Sequence, residues 1–222
     1  MNFCIDNNIN FQARNSVIKK ADNIARHVNK LYPRVSGTKM YSLDSYASNK
    51  TYFYYKCFGK VFSKYKKKIK HVRNLLKTLY NCEKSNFYKC NFYSELITSE
   101  KAGNCGESSF LARMIAACNG IKNTKIVYLD CQGKNLDHYM VYVNDKKPYI
   151  IDSWLGFADY VPNALEKFRS EYSKFIDINE LTREPSLKFM ESQENFITND
   201  KMQFSEILIN QLVKKHPEFV LK

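Results

Sequence analysis

Apolar residues recur at helical spacing through the first half of the chain. They form one stripe over residues 16–32, where Ser16 is a suitable N-cap and Pro33 would end the helix. The same period continues over 52–80 and again over 86–98. We therefore predict that the first hundred residues are built mainly from three helices.

The pattern changes after residue 100, where one helix gives way to strands. An apolar stripe over 106–118 predicts a helix that ends at Asn119 and Gly120. Three runs rich in β-branched and aromatic residues follow, at 125–130, 138–143 and 149–154. Helices are predicted again at about 163–173 and 203–215, with an irregular polar stretch at 176–200 between them. A helix followed by a small group of strands predicts an α+β fold.

The register of the second and third strands decides which side chains share a face. The five residues between these strands are of hairpin length, and we pair Val143 with Tyr149 across the turn. This pairing places Met140 opposite Asp152. Because strand side chains alternate between faces, His138 and Asp152 become diagonal neighbours on one face, about 7 Å apart between Cα atoms. A shift of one residue would place them on opposite faces.

Composition identifies a globular protein. The chain has 222 residues, of which 44% are hydrophobic and 26% charged, and this excludes a disordered or low-complexity chain. No run reaches the roughly 18 apolar residues of a membrane-spanning helix. The first residues lack the basic and apolar regions of a secretory signal. We therefore expect a cytoplasmic protein, or one that is exported by a route that does not use such a signal.

The net charge of +13 lies in the first half of the chain. Residues 1–104 contain 20 Lys+Arg and 6 Asp+Glu, whereas 105–222 contain 15 and 16. Five residues of the densest stretch define a predicted basic docking face: Lys60, Lys64, Lys67, Lys68 and Arg73. Such a face fits an anionic membrane or an acidic protein surface, and a solvated helix surface explains it equally well. A nucleic-acid partner is less favoured.

The cysteines indicate reduced thiols rather than a disulfide framework or a metal site. There are seven of them, an odd number, at scattered spacings and without a CxxC pair. We therefore expect no metal and no cofactor.

Residues 103–107, Gly-Asn-Cys-Gly-Glu, come directly before the apolar helix at 106–118. Cys105 is thus placed at a helix N-terminus, where unpaired N–H groups and the helix dipole favour the thiolate. The flanking glycines permit a tight turn and the approach of a substrate. The backbone N–H of Cys105 could also donate to a developing oxyanion.

His138 and Asp152 complete a candidate catalytic arrangement with Cys105. Asp152 can accept from one imidazole nitrogen of His138, and the other nitrogen can take the thiol proton. Trp154, the single tryptophan, would shield this hydrogen bond from water. A lone cysteine before a helix is more often a small buried residue, and a lone histidine is more often structural. The combination of the three is much more specific than any one of them.

These residues resemble the papain-like/transglutaminase-like superfamily of cysteine enzymes. Three motifs carry the resemblance: Gly-Asn-Cys-Gly-Glu at 103–107, Asp-His-Tyr-Met-Val-Tyr-Val at 137–143 and Ile-Ile-Asp-Ser-Trp at 150–154. They are most similar to bacterial secreted effectors and to the glutamine-deamidating catalytic domain of dermonecrotic Pasteurella toxin. The resemblance covers residues 100–160, and the relatives often have Asp-Pro-Trp where this chain has Asp-Ser-Trp.

The resemblance implies a papain-like/transglutaminase-like core, in which a catalytic helix packs on a small antiparallel sheet. It makes Cys105 the nucleophile, His138 the general base and Asp152 the orienting acid. Residues expected to line the oxyanion or substrate site are Asn104, Gly106, Gln132 and Trp154. The side-chain oxyanion donor is left open among Gln132, Asn104 and Asn135. We expect a basic helical subdomain at 1–100 and the catalytic core with C-terminal helices at 101–222.

The implied function is thiol-dependent acyl transfer on a protein substrate, by glutamine deamidation, proteolysis or transamidation. The same three residues serve all of these reactions, so the triad does not choose between them. The resemblance implies a bacterial effector that is delivered into a host cell by a specialised secretion system. The alternative is a non-enzymatic basic module that binds anionic lipid or nucleic acid and has a degenerate enzyme fold. An arylamine-type acyltransferase shares the triad order, but nothing in the sequence suggests its acyl-CoA pocket.

Overall fold

The computed structural model describes residues 4–31, 67–79, 81–130, 138–173, 186–189 and 202–221. The helices are α1 (Cys4–Leu31), α2 (67–79), α3 (Asn86–Glu100), α4 (Cys105–Cys118), α5 (Val161–Ser173) and α6 (Glu206–Lys215), and a short 3-10 turn at Pro217–Phe219 follows α6. The strands are β1 (Thr124–Asp130), β2 (His138–Val143), β3 (Tyr149–Asp152), β4 (Phe157–Tyr160) and β5 (Ser186–Phe189). This combination confirms the α+β class.

The strands form one antiparallel sheet in the order β4-β3-β2-β1-β5. In the β2–β3 hairpin Val143 pairs with Tyr149, which confirms the predicted register. The pairing leaves the first residue of β2 and the last residue of β3 at the same end of the sheet. His138 and Asp152 therefore lie at the open end of the hairpin, away from the turn at 144–148.

Each face of the sheet is covered by helices. One face packs against α1 and α4, and α1 contributes Ala21, Ile24, Ala25 and Val28 as fully buried residues. The other face carries a smaller cluster, in which Ala164 and Phe168 of α5 pack with apolar residues of β1, β2 and β3. The larger cluster draws residues from both sides of residue 100. The predicted domain boundary there stays a prediction, and the two sides share this core.

The helix predictions at 86–98 and 106–118 are confirmed by α3 and α4, and Gly120 follows α4 with a φ of 77°. The prediction that Ser16 is an N-cap is wrong, because α1 begins at Cys4 and Ser16 lies inside it. The stretch from Cys4 to Leu31 contains no glycine or proline, so nothing in the backbone ends the helix at Ser16. Pro33 lies outside the described residues.

Two short strands were missed by the sequence prediction. β4 precedes α5, and β5 interrupts the stretch at 176–200 that was predicted to be irregular. Each has four residues and lies at an edge of the sheet, where it pairs with β3 or β1. A run of four residues is too short to show a period, and the neighbouring strand determines whether it becomes β.

Candidate active site

His138 and Asp152 lie together at the open end of the β2–β3 hairpin. His138 begins β2 and stands opposite Leu129 of β1, so it faces the side of the sheet that α5 covers. Asp152 ends β3, one position beyond the paired residue Ile151. The side chains of His138 and Asp152 are 2% and 0% exposed. The hairpin register thus brings a histidine and a carboxylate to one buried place.

Both oxygens of the Asp152 carboxylate are held. Oδ2 lies 2.7 Å from Nε2 of His138. Oδ1 accepts the backbone N–H groups of Trp154 and Leu155, each at 2.9 Å. The turn that follows β3 therefore fixes the carboxylate, and the carboxylate fixes the imidazole ring.

Cys105 is the first residue of α4 and is 4% exposed. It lies close enough to His138 for its thiol to raise the pKa of the imidazole. Nε2 of His138 is occupied by Asp152. Nδ1 is buried and has no hydrogen-bond partner among the described residues, so it is the ring nitrogen that is left for proton exchange with the thiol. The structure thus brings the three predicted residues together in the order Cys105, His138, Asp152.

The electrostatics of this cluster favour a protonated imidazole. Burial alone lowers the pKa of His138, but the charge and hydrogen bond of Asp152, with a further contribution from Cys105, raise it to about 10. An imidazolium beside a cysteine favours the thiolate, because opposite charges stabilise each other in a buried place. The arrangement can therefore hold a nucleophilic sulfur and a proton donor near each other.

Two aromatic rings cover the imidazole. The Trp154 ring centre lies 5.0 Å from that of His138, as expected for a residue that shields the pair. Phe168 of α5 meets the same ring edge-on at 5.6 Å. Nothing in the sequence singles out Phe168, which is one of several apolar residues of a helix. Only the packing of α5 on the sheet shows that it covers His138.

The turn at 153–156 is held by the N-terminal helix. Asn29 of α1 donates through Nδ2 to the carbonyl oxygens of Trp154 at 2.6 Å and Ser153 at 3.3 Å. Gly156 has a φ of +79°, and a Cβ atom there would lie 3.1 Å from Cγ of Asn29. Asp22 of the same helix accepts the N–H of Ala158 at 3.1 Å. Contacts across more than a hundred residues leave no sequence signal, so these were not predicted.

The first turn of α4 is organised by a buried glutamate. Oε2 of Glu107 accepts the N–H of Asn104 at 2.7 Å, which is one half of a capping box. Oε1 accepts from Nε of Arg73 in α2 at 2.8 Å, and the carbonyl of Glu107 accepts the Tyr93 hydroxyl at 2.6 Å. The Glu107 side chain is 0% exposed, whereas that of Arg73 is 53% exposed. Arg73, assigned by the sequence to the docking face, thus reaches the candidate active site.

The remaining predicted residues have varied positions. Gly106 is buried in the first turn of α4. Oδ1 of Asn104 and Oγ of Ser153 are buried without a hydrogen-bond partner among the described residues, and both flank the triad. Lys67 is exposed, and Lys68 donates to the carbonyl of Glu100 at 3.2 Å. Four residues lie outside the described part of the chain: Lys60, Lys64, Gln132 and Asn135.

Neither a metal centre nor a membrane span is found where the structure describes the chain. Within the described ranges no three His, Cys, Asp or Glu residues are grouped so that they could hold a metal ion. In the same ranges no helix combines the length and the apolar character needed to cross a bilayer.

Comparison with protein-family models finds none that matches the chain, and comparison with curated proteins finds no similar sequence. A function is therefore inferred from the geometry of the site and from the sequence motifs.

Proposed function

We propose that the chain is a thiol-dependent acyl-transfer enzyme that acts on a protein substrate, with Cys105 as the nucleophile. The observation that supports this most is the buried His138 side chain. It bonds to Asp152 at 2.7 Å on one side and interacts with Cys105 at the start of α4 on the other. Asp152 can orient this imidazole and stabilise its charged form, and the ring can then exchange a proton with the thiol and with a leaving group.

The proposed reaction begins with attack of the Cys105 thiolate on an amide carbonyl carbon. A C–S bond forms and the carbonyl oxygen takes up the negative charge. When this charge collapses the C–N bond breaks, and the His138 imidazolium gives its proton to the leaving nitrogen. Water, deprotonated by His138, then attacks the thioester carbonyl carbon. When this second intermediate collapses the C–S bond breaks, the carboxylic acid is released, and Cys105 is again a thiolate beside a protonated His138. A glutamine side chain would lose ammonia, and a peptide bond would release an amine.

Within this class we propose a glutamine deamidase or a cysteine protease, with transamidation as a further outcome if an amine replaces water. The three sequence motifs that resemble papain-like/transglutaminase-like bacterial effectors support this choice and the delivery of the protein into a host cell. The chain's own residues supply every group in the scheme, so no cofactor is invoked.

The proposal is tested by the reactivity of the cysteines. We expect iodoacetamide to alkylate Cys105 faster than Cys90 and Cys118 at about pH 6.5, measured by peptide mapping of the intact protein. Burial raises the pKa of the Cys90 thiol to about 12 and that of the Cys118 thiol to about 11, so both remain protonated.

Two variants of the triad test whether the alkylation rate of Cys105 reflects its activation rather than its accessibility to iodoacetamide. His138→Ala opens space beside Cys105 and Asp152→Asn conserves shape, yet both should slow its alkylation, because the imidazolium is lost or weakened. Equal rates at Cys105 and Cys118 in the wild type, or faster alkylation in both variants, would contradict the proposed activation.

The second candidate is a basic binding module with a degenerate enzyme fold. It is favoured by the exposed cations of α2, which include Lys67, Lys70 and Lys77. Such a module would bind anionic vesicles equally well after Cys105→Ala, and its binding would fall steeply with salt. It would also show no preferential alkylation of Cys105, which separates it from the enzyme.

A further inference from the structure

The Arg73–Glu107 ion pair lies at the same helical turn as the proposed nucleophile. Glu107 follows Cys105 by two residues, and its carboxylate is completely buried. Arg73 approaches this carboxylate from another helix, with Nε 2.8 Å from Oε1. The pair therefore joins α2, which is otherwise a basic surface helix, to the first turn of α4.

A buried carboxylate in this position would oppose a thiolate unless its charge is offset. Two negative groups close together in a low-dielectric site disfavour each other's ionisation. Arg73 supplies the compensating charge, and the effect is mutual. The charge of Glu107 raises the pKa of Arg73 against the effect of burial, and the charge of Cys105 raises it further.

We propose that Arg73 is a positioning residue that sets the reactivity of Cys105 by neutralising Glu107 and holding the first turn of α4. This inference rests on the proposed function and deepens it, because it gives the basic N-terminal region a direct part in the site. Glu107 in turn keeps Asn104, and with it the start of the helix, in place through a 2.7 Å hydrogen bond.

Among the described residues, the charged and titratable groups that interact with Cys105 or with Glu107 come from four elements. His138 of β2 interacts with the thiol, Glu107 shares its helix, and Arg73 of α2 acts on both. Tyr93 of α3 donates its hydroxyl to the Glu107 carbonyl. Of these, only Arg73 and His138 add positive charge, so the removal of Arg73 must disfavour the thiolate.

The test is the pH profile of Cys105 alkylation in the full chain, with iodoacetamide as the probe. Arg73→Gln should move the midpoint of the profile upward by about one pH unit, which is about tenfold slower alkylation below the midpoint. Glu107→Gln removes the negative partner and keeps the positive one, so its midpoint should move downward. The double variant should return close to the wild-type midpoint.

Midpoint shifts of opposite sign in Arg73→Gln and Glu107→Gln distinguish electrostatic positioning from support of the fold. A purely structural pair would slow alkylation in both single variants, and that outcome would overturn the inference. Arg73→Lys should recover part of the wild-type profile because it restores the charge without the planar fork. Lys77→Gln removes one charge from the exposed side of the same helix and should leave the midpoint in place.

Folding is controlled through circular dichroism and through the double variant, which leaves no unpaired buried charge. An unchanged midpoint in folded Arg73→Gln would overturn the inference, as would an equal shift in Lys77→Gln. Failure of the proposed function would be seen separately, as a wild-type Cys105 that shows no alkylation at low pH.

Discussion

At the scale of single residues, His138 is stabilised as an imidazolium by a carboxylate that two backbone N–H groups hold in place. Folding raises its pKa above the ordinary value of 6.5, since the attraction of Asp152 and the interaction with Cys105 exceed the cost of burial. A group with a raised pKa binds its proton more tightly in the folded state, so the pair links folding to pH.

We predict that the contribution of the His138–Asp152 pair to the free energy of unfolding decreases as pH rises from about 6.5 to about 9, because the unfolded His138 loses its proton in that window while the folded one keeps it. The stabilisation is complete below the unfolded pKa and is lost as pH approaches the folded value of about 10. Urea unfolding at a series of pH values, with a reductant present, measures it.

Asp152→Asn is the control for this pH dependence, since it keeps the shape and removes the charge. It should be less stable than the wild type at about pH 6.5, and the difference should shrink as pH rises. The comparison with the wild type is needed because Cys90 and Cys118, whose folded pKa values are raised, add their own pH dependence once their unfolded thiols ionise, from about pH 8 upward. A difference that stays constant or grows with pH would refute the raised pKa.

At the scale of elements, the turn between β3 and β4 connects the triad to the N-terminal helix. Gly156 has a positive φ in this turn and lies against Asn29 of α1. Gly120, after α4, has nearly the same φ, but a Cβ atom added there would meet nothing within 4 Å. The two glycines therefore share a backbone conformation and differ in their surroundings.

We predict that Gly156→Ala destabilises the fold more than Gly120→Ala does. Both substitutions incur backbone strain of about 1 kcal/mol at positive φ. In Gly156→Ala alone, the new methyl group also presses against the Asn29 side chain. This contact strains the 2.6 Å hydrogen bond that Asn29 donates to the Trp154 carbonyl. Urea unfolding of the two variants measures the difference directly.

The double variant Gly156→Ala/Asn29→Ala locates the cause of the difference. It should be more stable than the sum of the two single effects predicts, because the contact that the new methyl group would disturb has been removed. Equal destabilisation by Gly156→Ala and Gly120→Ala would mean that α1 yields freely and does not hold the turn.

The sequence was sufficient to predict those parts of the candidate site that depend on elements close together in the chain. The strand period of two and the hairpin length placed His138 and Asp152 together, and the helix pattern placed Cys105 at a helix start. Asn29 and Arg73 could not be found in this way. Their partners are distant in sequence, and a run of lysines around Arg73 indicates a solvated surface rather than an ion pair with a buried glutamate.

At the scale of the whole molecule, the positive charges of the N-terminal half have two different roles. Arg73 is itself half exposed but pairs with the buried Glu107, whereas Lys67, Lys70 and Lys77 of α2 are exposed. The net charge of residues 1–104 is strongly positive and that of 105–222 is close to zero. A surface that docks to an anionic partner should therefore be separable from the residues that control Cys105.

We predict that the triple variant Lys67→Gln/Lys70→Gln/Lys77→Gln weakens binding to phosphatidylserine vesicles without changing the alkylation profile of Cys105. Each lysine near an anionic surface contributes about 1 kcal/mol, so the loss should be about a hundredfold. Co-sedimentation at low and moderate salt measures binding, and the wild type should lose affinity as salt rises.

The matched control removes three exposed lysines from the nearly neutral half, as Lys122→Gln/Lys146→Gln/Lys214→Gln. It lowers the net charge by the same amount, so vesicle binding should fall much less if the location of the charge matters. Equal losses in the two triple variants would show that only total charge counts. Both triple variants retain Arg73. A shift of the Cys105 alkylation profile in the α2 variant would therefore show that the docking surface and the reactivity of Cys105 are not separate.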